Sequence, residues 1–268
     1  MSTLDSVAAT LAADRLGERG SPALLLVHGF GSQKLMWSPV IDSLAATFEV
    51  VAVDLPGFGE SPLMPADLPV TARGFADVLV AYAESLGWSR FHVAGNSLGG
   101  WIALELAAMG AVESATALSP AGLWPRRSPI NARLPLVIAR HGARLFDSRL
   151  ALLERPAIRK AALGALFGKP ANLSGDHAIR HTRGFGECPG YDRVRRVLGE
   201  SRFIEGRGIT APLTVAFPPR DPLIVRRQCD LSSLPEHTRF EAPKGWGHVP
   251  TYDDPEGVVR LIRETAGV

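Results

Sequence analysis

Ser97 lies in the run Phe91-His92-Val93-Ala94-Gly95-Asn96-Ser97-Leu98-Gly99-Gly100. An apolar strand pattern breaks there at Gly-x-Ser-x-Gly and continues at once as an apolar helix pattern. Such a turn holds a serine in a strained backbone conformation and aims its hydroxyl out from the end of the strand. Gly95 and Gly99, two positions to either side, keep neighbouring backbone clear of it. The helix that starts beside the serine adds free N–H groups and a positive dipole end, both suited to a developing oxyanion. A serine between glycines also fits a plain turn. The flanking elements separate the two readings, because Leu98, Trp101, Ile102, Ala103, Leu104, Leu106 and Ala107 make a helix apolar on nearly every face. Ser97 therefore reads as a nucleophile.

A serine hydroxyl at its ordinary pKa is a poor nucleophile, so it needs a general base in reach and an acid to orient that base. Of seven histidines, His248 stands apart, in the glycine-flanked loop Pro243-Lys244-Gly245-Trp246-Gly247-His248-Val249-Pro250 after the last strand pattern. His28 follows directly on an earlier strand pattern, and His92 is inside the nucleophile strand, where its side chain cannot face Ser97. His141, His177, His181 and His237 fall in other segments. For the acid, Pro218-Pro219-Arg220-Asp221-Pro222 fixes a carboxylate just beyond another apolar run, and Asp221 is the choice; Asp254 is better used to cap the final helix. An ionised Asp221 would fix the tautomer of His248 and stabilise its imidazolium. Oxyanion donors are expected at the N–H of Leu98 and, in the loop His28-Gly29-Phe30-Gly31, at the N–H of Phe30. Trp124, Trp246, Leu223, Val249, Leu123, Phe30 and Trp101 are the expected pocket walls.

The elements that must position these groups alternate. Strand patterns at Ala23 to Val27, Phe48 to Val53, Phe91 to Ala94 and Ser114 to Leu118 are separated by helix patterns around Leu35 to Ala46, Ala72 to Leu86 and after Ser97. Residues before Ser21 could add one or two short strands. Strands in such alternation require a mostly parallel central sheet with helices on both faces, an α/β fold. Beyond Ser119-Pro120-Ala121-Gly122 the alternation stops. Pro129 to Phe167 reads as short basic amphipathic helices broken at Pro135, Gly142 and Pro156, followed by turn-rich sequence from Gly168 to Gly190 and a helix to about Arg202. Strands resume at Pro212 to Phe217 and Arg239 to Ala242, and Asp254-Pro255 starts a last helix. Residues 1–121 and 206–268 thus form the expected core, and 122–205 an inserted helical segment.

Charge is uneven along the chain. The net charge is +2, yet Gly122 to Glu205 carries 16 Lys and Arg against 7 Asp and Glu, leaving the remainder acidic. A basic insertion either forms a solvated surface or attracts an anionic substrate. Cys188 and Cys229 have neither metal-ligand nor redox spacing, so free thiols in a reducing compartment are expected. No secretory leader pattern and no span of about 20 apolar residues occurs, which gives a cytoplasmic expectation and no membrane partner. Neither a His-Glu-x-x-His nor a phosphate-binding glycine loop is present, so no metal, no cofactor and no nucleic acid are expected.

The elbow at Ser97, His28-Gly29, Asp54-Leu55-Pro56-Gly57-Phe58-Gly59-Glu60-Ser61, Asp221 and Gly247-His248 occur in an order that resembles the α/β-hydrolase superfamily across nearly all of the core. The resemblance implies the α/β-hydrolase fold, with 54–61 as a structural loop and 122–205 as a cap that roofs the pocket. Members with haloalkane dehalogenase or epoxide hydrolase activity use an aspartate at the elbow, so Ser97 points instead to an acyl-enzyme route on a small ester, thioester or lactone. The Gly95-Asn96-Ser97 form and the arginine-rich insertion also resemble carbon-carbon hydrolases of ring-fission dienones. There Arg126, Arg127, Arg180 or Arg183 would hold a carboxylate, and Trp246 would stack on a ring. Some members of this fold act instead as small-ligand receptors.

Overall fold

The computed structural model describes residues 2–268. Seven strands form one sheet: β1 (Ala13–Leu16), β2 (Ala23–Val27), β3 (Glu49–Val53), β4 (Phe91–Asn96), β5 (Val112–Leu118), β6 (Leu213–Ala216) and β7 (Arg239–Glu241), in the spatial order β1-β3-β2-β4-β5-β6-β7. Only β1 runs antiparallel to its neighbour; every other pairing is parallel. After β3 the chain crosses back over β2 to lay down β4, so the order reverses between β2 and β4. A crevice opens at the carboxyl ends of the strands where such a reversal occurs.

Around the sheet lie α1 (Thr3–Ala8), α2 (Ile41–Ala45), α3 (Ala72–Ser85), α4 (Leu98–Ala108) and α9 (Pro255–Ala266). Side chains alternate along each strand. Leu25, Val27, Val51, Val53 and Val93 pack with Phe75, Leu79, Ile102 and Leu106 of α3 and α4. Leu24, Leu26, Val50, Ala52 and Ala94 turn the other way onto Trp37, Leu44, Val258 and Ile262. Cover on both faces explains why the central strands read as continuous apolar runs. It also explains α4, where Glu105 is buried yet accepts from Trp101 Nε1 at 2.9 Å. The last helix starts as its sequence implies, with Asp254 accepting from Gly257 N and Pro255 in the first turn.

Between β5 and β6 lie α5 (Ile130–Leu145), α6 (Pro156–Leu163), α7 (Gly175–Glu187) and α8 (Tyr191–Leu198). Three expectations are corrected here. Pro135 and Gly142 do not break the segment, because α5 runs through both. A helix-interior proline costs about 3 kcal/mol, and tertiary contacts offset it: Asn131 Nδ2 donates to the carbonyls of Pro222 and Leu223, and the Arg140 guanidinium lies 4.1 Å over the Tyr191 ring. The glycine-rich stretch 168–190 is not turn throughout, since α7 occupies most of it. Ser174 caps that helix by accepting from His177 N, and Gly186 gives α7 close approach to Ala143 of α5. The helix expected at Leu35 to Ala46 is two pieces, a 3₁₀ turn (Lys34–Trp37) and α2. Ahead of β2 there is one strand, β1, preceded by α1, whose capping box at Ser2 and Asp5 was the missed signal. Among the described residues no helix is long and apolar enough to cross a membrane.

One contact between the inserted helices and the core is titratable. Tyr252 Oη is 3.0 Å from His181 Nε2, 3.1 Å from His177 Nδ1 and 3.3 Å from Ser38 Oγ. Burial, then the neighbouring His177 and Arg180, push His181 down to about 3. The unfolded chain takes up this proton from about pH 6.5 downward, whereas folded His181 stays neutral until about 3. Protons therefore favour unfolding between those values, and stability is lost as the pH falls through that window. Urea unfolding at a series of pH values is expected to show that slope, and His181→Gln to flatten it.

Candidate active site

Every group singled out for chemistry sits beyond the carboxyl end of a strand. Ser97 follows β4 and is the N-terminal boundary of α4, with φ 57° and ψ −111°. A non-glycine residue at positive φ is strained, and the surroundings hold it there: Ser97 N donates to Leu118 O at 2.9 Å, and its own carbonyl accepts from Trp101 N and Ala121 N at 3.0 Å each. The glycines are steric requirements. A Cβ on Gly95 would collide with the carbonyl of Gly99, and one on Gly99 with the carbonyl of Val27.

His248 and Asp221 meet across two loops, from β7 and β6. His248 Nδ1 is 2.8 Å from Asp221 Oδ2, and the two side chains are 7% and 0% exposed. The other carboxylate oxygen of Asp221 accepts from Leu223 N at 2.8 Å and Ile224 N at 3.0 Å. Burial by itself would raise the Asp221 carboxyl; the His248 ring and the Ile224 N–H outweigh it and hold it below its ordinary value. With Nδ1 engaged, Nε2 is the ring atom left for chemistry. Ser97 and His248 line one cavity, although no hydrogen bond joins their side chains among the described residues.

Asn96 is the residue that sequence reasoning missed. Its Nδ2 donates to His248 O at 2.8 Å and to Leu118 O at 3.2 Å, tying the serine turn, the end of β5 and the histidine loop together. Its position next to Ser97 was the available signal. Phe30 and Leu98 also line the cavity, and their backbone N–H groups donate to no backbone acceptor among the described residues. The loop carrying Phe30 comes close to the serine, since a Cβ on Gly29 would lie 3.2 Å from Ser97 Cβ. His28 braces that loop: Nε2 accepts from Leu55 N at 3.0 Å and Nδ1 is 2.7 Å from Gly29 O, while burial keeps the ring's pKa low.

The cavity has a volume of about 70 Å³. Trp124, Leu223 and Phe30 line it; Trp246, Val249, Leu123 and Trp101 do not, the last two being packed into the main core. Trp246 is buried on the opposite side of its loop, where Nε1 donates to Asp254 Oδ2 at 2.9 Å, and Val249 N donates to Leu166 O at 3.0 Å. The four arginines considered for a carboxylate also lie elsewhere. Arg126, Arg127, Arg180 and Arg183 are exposed and outside the cavity lining, with Arg183 paired to Asp147. Arg133 of α5 and Arg195 of α8 are the basic residues that border it. Cys188 is buried, which pushes its thiol up to about 11 and away from nucleophilic chemistry. Among the described residues no group of three or more His, Cys, Asp or Glu is arranged to hold a metal ion.

A sequence profile described as the alpha/beta hydrolase family matches residues 24–261. The chain belongs to that family. An epoxide hydrolase of Mycobacterium tuberculosis is 28% identical over 199 residues, 70% of this chain and 91% of that protein. A pimeloyl-[acyl-carrier protein] methyl ester esterase of Neisseria meningitidis is 43% identical over 84 residues, which are 31% of this chain and 30% of the esterase. Among solved structures, a 2-hydroxy-6-oxo-6-phenylhexa-2,4-dienoate hydrolase from Rhodococcus sp. strain RHA1 superposes with a TM-score of 0.74 over 97% of this chain and 96% of the other, at 22% identity. That likeness is one of fold.

Proposed function

We propose that this member of the alpha/beta hydrolase family is a serine hydrolase of carboxylic esters, with Ser97 as nucleophile, His248 as general base and Asp221 as its orienting acid. The observation that carries the reading is the Nδ1 to Oδ2 contact of 2.8 Å between His248 and a fully buried, ionised Asp221, beside a strained serine that lines the same cavity. Ser97 Oγ attacks the acyl carbon as its proton passes to His248 Nε2, and the oxyanion accepts from the N–H groups of Phe30 and Leu98. The imidazolium then protonates the leaving oxygen, the alcohol departs, and water activated by the same histidine releases the acid. Opening an epoxide through a carboxylate ester would require an acid at position 97, so the name of the mycobacterial relative does not carry over.

Residues 122–205 serve as a cap over the site in this proposal, because α5 and α8 supply Ala132, Leu136 and Leu198 to its wall. The small apolar cavity suits a short acyl group, and Arg133 and Arg195 suit an anionic substituent at the mouth. A panel of p-nitrophenyl acetate, a p-nitrophenyl hemisuccinate and a dienone ring-fission acid tests this. Both esters are expected to turn over. The double variant Arg133→Ala/Arg195→Ala should raise KM for the hemisuccinate roughly tenfold and leave that for the acetate unchanged. Rapid dienone cleavage with inert esters would replace the ester assignment with carbon-carbon hydrolysis. Stoichiometric binding without turnover of any member would favour a receptor.

A further inference from the structure

Helix α5 has a second face that the proposed chemistry does not use. Its inner residues Ala132 and Leu136 line the cavity, while Ile130, Leu134, Ile138 and Leu145 stand 69%, 51%, 62% and 75% exposed on the outside. At 3.6 residues per turn these four lie within an arc of about 80°, and exposed Phe146 extends the stripe at the helix end. Among the described residues no other α-helix exposes a large apolar side chain. The charge along the helix is basic, and the carboxylate that follows it, Asp147, is paired with Arg183. From Arg126 to Phe146 the chain holds five arginines and no Asp or Glu; Arg140 is buried on Tyr191, while exposed Arg133 and Arg144 fall on one flank of the stripe by helix position, Arg133 at the border of the cavity and Arg144 with its Nε on Gly186 O at 2.9 Å.

We propose that α5 docks the protein on anionic lipid surfaces, its aliphatic stripe seated at the headgroup boundary and its arginines on lipid phosphates. An interfacial helix combines these two features, an apolar face and basic residues on its border. A second copy fits worse, because it would oppose Arg133 and Arg144 to their own equivalents with no carboxylate in either helix. An acidic protein also fits worse. The stripe is a convex row of aliphatic side chains, whereas protein hot spots favour Trp, Tyr and Arg seated in pockets. A bilayer asks only for depth. The sequence alone gives no membrane partner, since docking on a surface needs no spanning segment, and it is the exposure of this stripe that alters the expectation. Docking would also bring the cavity mouth, bordered by Arg133, to the lipid surface.

Co-sedimentation of the full chain with vesicles tests the assignment. Binding is expected to vesicles containing phosphatidylglycerol, not to phosphatidylcholine alone, and to weaken steeply in about 0.5 M salt. Ile138→Asp with Leu145→Asp should lower the partition coefficient roughly tenfold or more, with hydrolysis of soluble esters and the unfolding midpoint unchanged. Ile138→Ser with Leu145→Ser serves the same purpose should the carboxylates disturb the helix. Absence of binding to anionic vesicles, or equal binding by the variants, would overturn the proposal. So would a concentration-dependent dimer that the variants dissolve, which assigns the stripe to a second copy. Retention on immobilised polyglutamate without vesicle binding would overturn it in favour of an acidic protein.

Discussion

Ser97→Ala is expected to lower kcat on p-nitrophenyl acetate by about 10⁴ or more while KM changes little. In the proposed mechanism the substitution removes the atom that forms the acyl bond and leaves the Phe30 and Leu98 N–H groups where they are, so ground-state binding should survive and covalent chemistry should not. Structurally the change is small. Among the described residues no hydrogen bond of the Ser97 hydroxyl is present, and the backbone bonds to Leu118, Trp101 and Ala121 that hold its strained conformation do not involve the side chain. Urea unfolding should therefore shift by no more than about 0.5 kcal/mol. Together, a lost rate and an intact fold separate a nucleophile from a residue that merely shapes the turn.

Asp221→Asn is expected to cost a similar factor, about 10⁴ in kcat, by a different route. The carboxylate uses one oxygen for Leu223 N and Ile224 N and the other for His248. An amide can keep the first pair only by turning its NH₂ toward His248 Nδ1. That nitrogen must then accept, which moves the ring proton to Nε2, the atom that has to take the proton of Ser97. The geometry survives with the wrong tautomer. Steady-state kinetics should show kcat and kcat/KM falling together, with the protein folded.

The residues proposed for catalysis were legible in the sequence because the chemistry proposed for them imposes local rules. A nucleophile at a strand-to-helix turn needs glycines at Gly95 and Gly99, where any Cβ meets backbone. Asp221 and His248 each stand in a proline- or glycine-bounded loop just past an apolar strand, and parallel strands deliver such loops to one edge. The sheet was legible for a related reason, since strands buried on both faces leave uninterrupted apolar runs.

What stayed hidden depends on direction and on contacts distant in sequence. Trp246 and Val249 flank His248 by one or two positions, yet the loop turns them away from the cavity, where Asp254 and Leu166 meet them. Arg133 and Arg195 were indistinguishable from a dozen other arginines until the helix faces were known. Pro135 and the glycines of α7 have the composition of breaks, and packing overrides it: Arg140 on Tyr191, and Gly186 against Ala143. Asn96 does its work through the carbonyl of a residue far along the chain, which no local pattern reveals.

The most direct test is to treat the protein with a fluorophosphonate and locate the adduct by peptide mass mapping. A single phosphonyl group on Ser97 is expected, formed quickly by the native enzyme and far more slowly by His248→Ala. No adduct under conditions where esters are hydrolysed, or an adduct on another serine, would contradict the assignment of Ser97 as the nucleophile.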